Sequence, residues 1–178
     1  MIAAGSYSPK LVESLGIKVP IQPVKGYSIT VPMDGAQPAP RIPILDDELH
    51  AVAVPLADRM RVAGTAEFAG FDRTVTAARI ENLRYLLART YPRIAQSATP
   101  ERTSSWAGLR PMSCDGVPII GRTACENLFL NTGHGPLGWT MAVGSGRALA
   151  DLMVGRTPEI DLAPYSCSAS VETSARRS

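Results

Sequence analysis

The chain has 178 residues, 45% of them hydrophobic and 19% charged, with a formal net charge of +2. That is apolar material for one domain or a domain and a half, and the mild charge with scattered Lys and Arg residues excludes a nucleic-acid surface. No apolar run has the length to span a bilayer, and Met1-Ile2-Ala3-Ala4-Gly5 lacks the basic start of a signal peptide, so a cytoplasmic chain is expected.

In chain order, Met1 to Gly5 reads as the end of a buried strand, a start in mid-fold. Lys10 to Leu15 is a short helix stopped at Gly16. Val24, Tyr27, Ile29 and Val31 fall in a β-rich run closed by Pro32, and Asp34-Gly35 with Pro38 and Pro40 marks a loop. Arg41 to Leu45, His50 to Leu56 and Met60 to Glu67 continue as strands of an antiparallel meander. Ile80, Leu83, Leu86 and Leu87 make the apolar stripe of a helix that ends at Pro92, with Asp72 or Thr74 as its cap. Thr103 to Leu109 is a strand with Trp106 buried. Ser166 to Ser178, rich in Ser, Ala and Arg, are expected to be disordered.

The chain is organised around a later stretch. Leu128 to Leu130 is a short apolar strand, Gly133-His134-Gly135-Pro136 a tight turn, and Leu137 to Gly155 a helix. The first N–H groups of a helix have no internal partner and sit at the positive end of its dipole, so the corner is a seat for negative charge. Gly144 and Gly146 each cost about 1 kcal/mol relative to Ala inside a helix. Either something approaches this helix closely, or the glycines only allow it to pack tightly on a strand. Gly133-His134-Gly135-Pro136-Leu137-Gly138 also matches Gly-x-Gly-x-x-Gly, with Glu159 and Asp161 beyond it. That fingerprint requires a following strand, and the proline-containing stretch Arg156 to Pro164 supplies none, so the dinucleotide-fold reading is weak.

Several side chains are candidates for chemistry. Arg110 stands between an apolar strand end and Pro111, where its planar fork suits a carboxylate; an ion pair with a residue such as Asp115 fits equally well. His134 is either a proton carrier or a structural turn residue. Cys114 reads as a small buried residue and not as a reactive thiol. Tyr7 and Tyr27 read as core or interface hydroxyls, and Lys25 as a solvated strand-edge lysine. Three cysteines without Cys-x-x-Cys spacing, and only two histidines, point to neither a disulfide framework nor a metal site.

Four stretches carry a family resemblance: Ile2-Ala3-Ala4-Gly5-x-x-Ser8, Pro23 to Ser28, Gly108 to Gly121, and Asn131 to Thr140. They occur in the order seen in FAD-dependent amine and amino-acid oxidoreductases. The chain resembles the carboxy-terminal portion of that superfamily as far as about Pro164, most closely its D-amino acid dehydrogenase branch; glycine and sarcosine oxidases share versions of the last two motifs.

The resemblance implies an α+β fold: an antiparallel substrate-domain sheet with helices, plus the carboxy-terminal strand and helix of an incomplete FAD-binding domain. Residues 1–22 would be a remnant of the FAD-binding domain, 23–107 the substrate-binding sheet domain, 108–164 the flavin-facing strand, turn and helix, and 165–178 a disordered tail. An exposed apolar face is expected where the missing half would lie. The implied activity is FAD-dependent oxidation of the Cα–N bond of an amino acid to a 2-oxo acid and ammonia. Arg110 would hold the substrate carboxylate and Tyr27 would contact the substrate. Gly5, Gly133, His134, Gly135, Pro136, Leu137, Gly138, Trp139 and Thr140 would hold the cofactor, and no metal is implied. Pro136 replaces a Gly of some relatives and removes one N–H, leaving Leu137 and Gly138 as backbone donors with the Thr140 hydroxyl. The implied partners are the amino acid, an amino-terminal Rossmann half absent here, and a peripheral membrane electron acceptor for the complete protein at the inner face of the cell membrane. Two alternatives stand beside this reading: a non-catalytic fragment or partner module, and a glycine or sarcosine oxidase-like enzyme.

Overall fold

The computed structural model describes residues 1–34 and 39–167. Gly35 and Pro38 of the expected loop, and most of the expected tail, lie outside the described residues. The chain forms two compact units, one contiguous from Lys25 to Leu109, the other assembled from Met1–Val24 and Arg110–Ser178.

The contiguous unit holds most of a sheet covered by helices; residues 21–24 at the start of the sheet's first strand and residues 110–113 at the end of its last belong to the other unit. Strands β1 (Ile21–Pro32), β2 (Ile44–Asp46), β3 (Ala51–Leu56), β4 (Arg59–Glu67) and β5 (Ser104–Ser113) lie in the order β2-β3-β4-β1-β5. The pairs β2–β3 and β3–β4 are antiparallel neighbours as a meander predicts, but β1 pairs antiparallel with β4 and not with β2, so the sheet departs from a simple meander. Alternation sends Tyr27, Ile29 and Val31 of β1 to one face, where Ile29 stands opposite Val62 and Val31 opposite Met60. Helix α2 (Ala77–Thr90) lays Ile80, Leu83, Leu86 and Leu87 on that row. Each such buried side chain contributes roughly 1.5–3 kcal/mol of transfer free energy.

Three details depart from expectation here. Pro92 ends α2 and also opens a further helix, α3 (Pro92–Ser97), because its missing N–H costs nothing at a first helical position. The residue at the start of α2 is Thr76, which makes no side-chain capping bond; neither Asp72 nor Thr74 serves as the cap. Trp106 is 57% exposed instead of buried. Residues two apart share a strand face, and the indole lies over Gly108, where an added Cβ would fall 1.9 Å from the ring.

The second unit holds helix α1 (Ser8–Val12), strands β6 (Ile119–Arg122) and β7 (Phe129–Thr132), and helix α4 (Gly138–Met153). β6 and β7 form an antiparallel pair. Ile2 adds a parallel bridge to Leu130, donating its N–H to Phe129 O at 2.8 Å and accepting from Asn131 N at 3.0 Å, so the first residues do lie beside a strand. Val12, Val19, Ile21, Ile119 and Leu130 close one cluster. Ala148 and Leu149 of α4 pack with Ile120 and Phe129 in another. The turn after α1 ends at Gly16 with φ +69°, the left-handed stop expected there. No parallel strand–helix–strand unit occurs among the described residues, so the literal Gly-x-Gly-x-x-Gly match lacks the setting that gives it meaning.

Candidate functional site

β7 leaves its partner at Thr132 and turns through Gly133 and Gly135, whose φ values of +77° and +53° are left-handed and favour glycine. A single 3-10 turn, Gly135–Leu137, then precedes α4, so the helix begins one residue later than the sequence suggests. That turn changes the donor set. Leu137 N donates to His134 O at 3.1 Å and is spent within the turn, which leaves the N–H groups of the first turn of α4, from Gly138 onward, at the helix terminus. Pro136, Leu137, Trp139 and Thr140 are exposed there, Trp139 to 94%.

Arg110 belongs to the same unit, on β5 and half-buried. Two residues further on, Met112 forms an antiparallel bridge with His134, tying the Arg110 strand to the glycine turn. The fit is close. A Cβ on Gly135 would come within 2.9 Å of Met112 Sδ, and one on Gly5, itself at φ +55°, within 3.8 Å of Pro111 Cγ. Ser8 Oγ, fully buried, donates to Thr132 Oγ1 at 2.9 Å, and Thr132 Oγ1 donates to Gly5 O at 3.1 Å. Gly5, the 133–135 turn and the Arg110 strand are thus brought together within one unit. Ser8, Met112 and Thr132 stood in the sequence only as members of the stretches that carry the family resemblance, with no role assigned to them.

Burial sets the electrostatics. It lowers the pKa of Arg110 from its ordinary value, and it likewise holds the His134 imidazole below its usual value and therefore neutral. Ser6 Oγ, Ser113 Oγ, Asn131 Oδ1 and His134 Nε2 are buried in this unit without a hydrogen-bond partner among the described residues. Buried polar atoms are almost always paired, so each of these atoms has bonding capacity that a water or a polar ligand would meet.

The remaining candidates lie elsewhere or differ from expectation. Tyr27 belongs to the contiguous unit, 1% exposed, and its hydroxyl donates to Glu67 Oε2 at 2.6 Å and lies 3.2 Å from Thr76 Oγ1. Lys25 is not a solvated edge lysine: it is 1% exposed and bonds Asp72 Oδ2 at 2.8 Å. Cys114 is exposed, because β5 ends at Ser113 and the chain turns outward. Asp115 Oδ1 accepts from Val117 N at 3.0 Å within that turn. Among the described residues nothing lies within 4 Å of a Cβ built on Gly144 or Gly146, so neither glycine serves close packing against them. The face of α4 that carries Trp139 and Val143 is exposed apolar surface, those two side chains to 94% and 84%.

Residues 1–152 match the family described as DAO, FAD dependent oxidoreductase, and the chain belongs to that family. It is 48% identical, over 92% of its length, to a D-amino acid dehydrogenase of Xanthobacter autotrophicus, of which it spans 38%. It is 45% identical to an uncharacterized oxidoreductase in the pyp 5' region of Halorhodospira halophila, covering 76% of that protein. The crystal structure of glycine oxidase from Geobacillus kaustophilus superposes with a TM-score of 0.82 at 29% identity, over 93% of this chain and 44% of that one. The family is FAD-dependent. The residues present fit the ring end of such a cofactor, since the open first turn of α4 and the unsatisfied Asn131, His134 and Ser113 atoms suit a flat group with polar edges.

Proposed function

We propose that this chain supplies the substrate-binding and flavin-facing portions of an enzyme that oxidises D-amino acids to 2-oxo acids and ammonia. The observation that carries this reading is the Met112–His134 bridge, which joins the strand of Arg110 to the glycine turn at the head of α4. Bound FAD would supply a hydride acceptor for the substrate Cα. Arg110 holds the substrate carboxylate through two parallel hydrogen bonds, strengthened by its half-burial, and so fixes the orientation of the Cα–H bond. His134, neutral through burial, adds no positive charge beside a neutral substrate amine, which then needs no dedicated base. The N–H groups opening α4 present partial positive charge where negative charge develops during the transfer. The imine product takes up water to give the 2-oxo acid and ammonia. A dinucleotide-binding portion, supplied by further chain or by a partner, completes the cofactor site in this reading.

The experiment joins this chain to the portion of the Xanthobacter autotrophicus dehydrogenase that it does not cover. Anaerobic addition of D-amino acids is expected to bleach the flavin absorbance, with L-enantiomers and amines lacking a carboxylate acting far more slowly. Flavin that stays oxidised with every D-amino acid, in a chimera that retains its cofactor, would overturn the reading. The fold similarity to glycine oxidase supports a second reading with glycine as substrate and dioxygen as acceptor; glycine-driven peroxide formation by the same chimera would favour it.

A further inference from the structure

Residues 68–76 run from the end of β4 to the start of α2 without regular structure, and most of them are exposed. Of their large apolar side chains, Phe68 and Val75 are 79% and 40% exposed, and Phe71 is half-buried. Polar bonds hold the segment as well. Lys25, 1% exposed on β1, sends its ammonium to Asp72 Oδ2 at 2.8 Å and to Thr74 O at 3.1 Å, with Glu67 Oε2 at 3.9 Å. Asp72 in turn accepts from Thr74 N at 2.9 Å and Thr74 Oγ1 at 2.6 Å, which stiffens the middle of the segment. The Tyr27 hydroxyl holds both ends, through Glu67 immediately before the segment and Thr76 at its close. β1 carries a bulge between Lys25 and Tyr27, the irregularity that sits beneath these contacts.

The energetic character of the two grips differs. A cover meant to stay shut would bury apolar groups, which lose on re-exposure to water. Closing instead over a lysine strips its ammonium of water, and the bonds to half-exposed Asp72 and to Thr74 O, with Glu67 at 3.9 Å, offset that loss. When the middle lifts, Lys25 and Asp72 both regain hydration, so opening there is opposed weakly. The ends have no such compensation, because Glu67 and Thr76 continue directly into β4 and α2. We propose that residues 68–76 form a strap that opens as a unit, hinged at Glu67 and Thr76 and latched by Lys25 on Asp72, while β1, β4 and α2 stay folded. Opening bares the Lys25 ammonium beside the Tyr27 ring, which lies 5.3 Å from it.

The test uses the full chain. Arg73 is exposed in the middle of the strap and offers trypsin a cleavage site whose use requires local opening. Asp72→Asn keeps the shape of the latch and removes its charge, and it is expected to speed cleavage after Arg73 on the order of tenfold. Hydrogen exchange at Ile29 and Val62, in the paired centre of β1 and β4, is expected to stay at the wild-type rate. Unchanged cleavage after Arg73 in Asp72→Asn overturns the latch. Exchange at Ile29 and Val62 rising in step with cleavage overturns the strap, since the segment would then open only when the sheet unfolds.

Discussion

Met112 and His134 face each other in an antiparallel bridge, so the backbone of the strand bearing Arg110 is continuous in hydrogen bonding with the turn that opens α4. A side chain on the first element and N–H groups on the second are therefore tied to one another through the backbone. For a site that must orient one end of a small molecule while receiving charge at another, such backbone coupling is more rigid than a pair of loops.

Arg110→Lys, made in the chimera, retains the charge and loses the planar two-point grip. The expected loss in kcat/KM for D-amino acids is about 2–4 kcal/mol, or roughly thirty- to a thousandfold. Slow turnover of plain amines should be nearly unaffected, and flavin content unchanged. Steady-state kinetics on both substrate types decides; an equal loss for both would mean that Arg110 supports the fold or the cofactor instead of reading the carboxylate.

His134 carries a pH dependence of stability. Burial lowers its folded pKa below the ordinary 6.5, so between those two values the unfolded chain binds more protons than the folded one. The contribution is complete above the unfolded value and is lost as pH falls below it towards the folded one. Thermal midpoints taken from about pH 7.5 to about pH 5.5 should fall more steeply for the wild type than for His134→Gln. Parallel curves would assign the slope to other groups.

Gly135→Ala should destabilise the chain by about 1–2 kcal/mol, because φ is +53° there and a Cβ would press on Met112 Sδ. Methionine is flexible enough to absorb part of the contact, which keeps the figure modest. Urea unfolding measures it, and a neutral result would mean that the turn relaxes at no cost.

Gly144→Ala should act in the opposite direction. Its Cβ meets nothing within 4 Å and its backbone is helical, so the chain alone should gain about 0.5–1 kcal/mol. In the chimera the same change is expected to lower flavin retention, since a helix that keeps glycines against open space within this chain is shaped for a close neighbour outside it. Equal stabilisation in both proteins would argue that no neighbour approaches.

Leu130→Ala, at a fully buried position that also carries the bridge to Ile2, should cost about 2–5 kcal/mol in unfolding free energy.

Much of this was legible in the residues. The alternation of Tyr27, Ile29 and Val31 against Met60 and Val62, and the spacing of Ile80, Leu83 and Leu87, encode periodicities that burial reproduces directly. The glycine corner was legible because left-handed φ values leave few alternatives to glycine. What stayed hidden depends on distant partners. Nothing beside Lys25 in sequence announces Asp72, and Ser8 gives no hint of Thr132, because such contacts are made only once the chain has folded back on itself. Trp106 misled for the opposite reason: its size argues for burial, yet its cover is the bare backbone of Gly108 two residues away.

The discontinuous unit has a consequence for how the chain is made. Ser8 meets Thr132 across 124 positions, with the whole contiguous unit between them. At about 5–20 residues per second, roughly 6–25 s of synthesis separates the two. Residues 25–109 emerge as an uninterrupted block and can fold in that interval, while Ile2 and Val12 wait without the strand that will bury them. During synthesis the unit built from residues 1–24 and the stretch from Arg110 onward therefore closes after residues 25–109 have emerged.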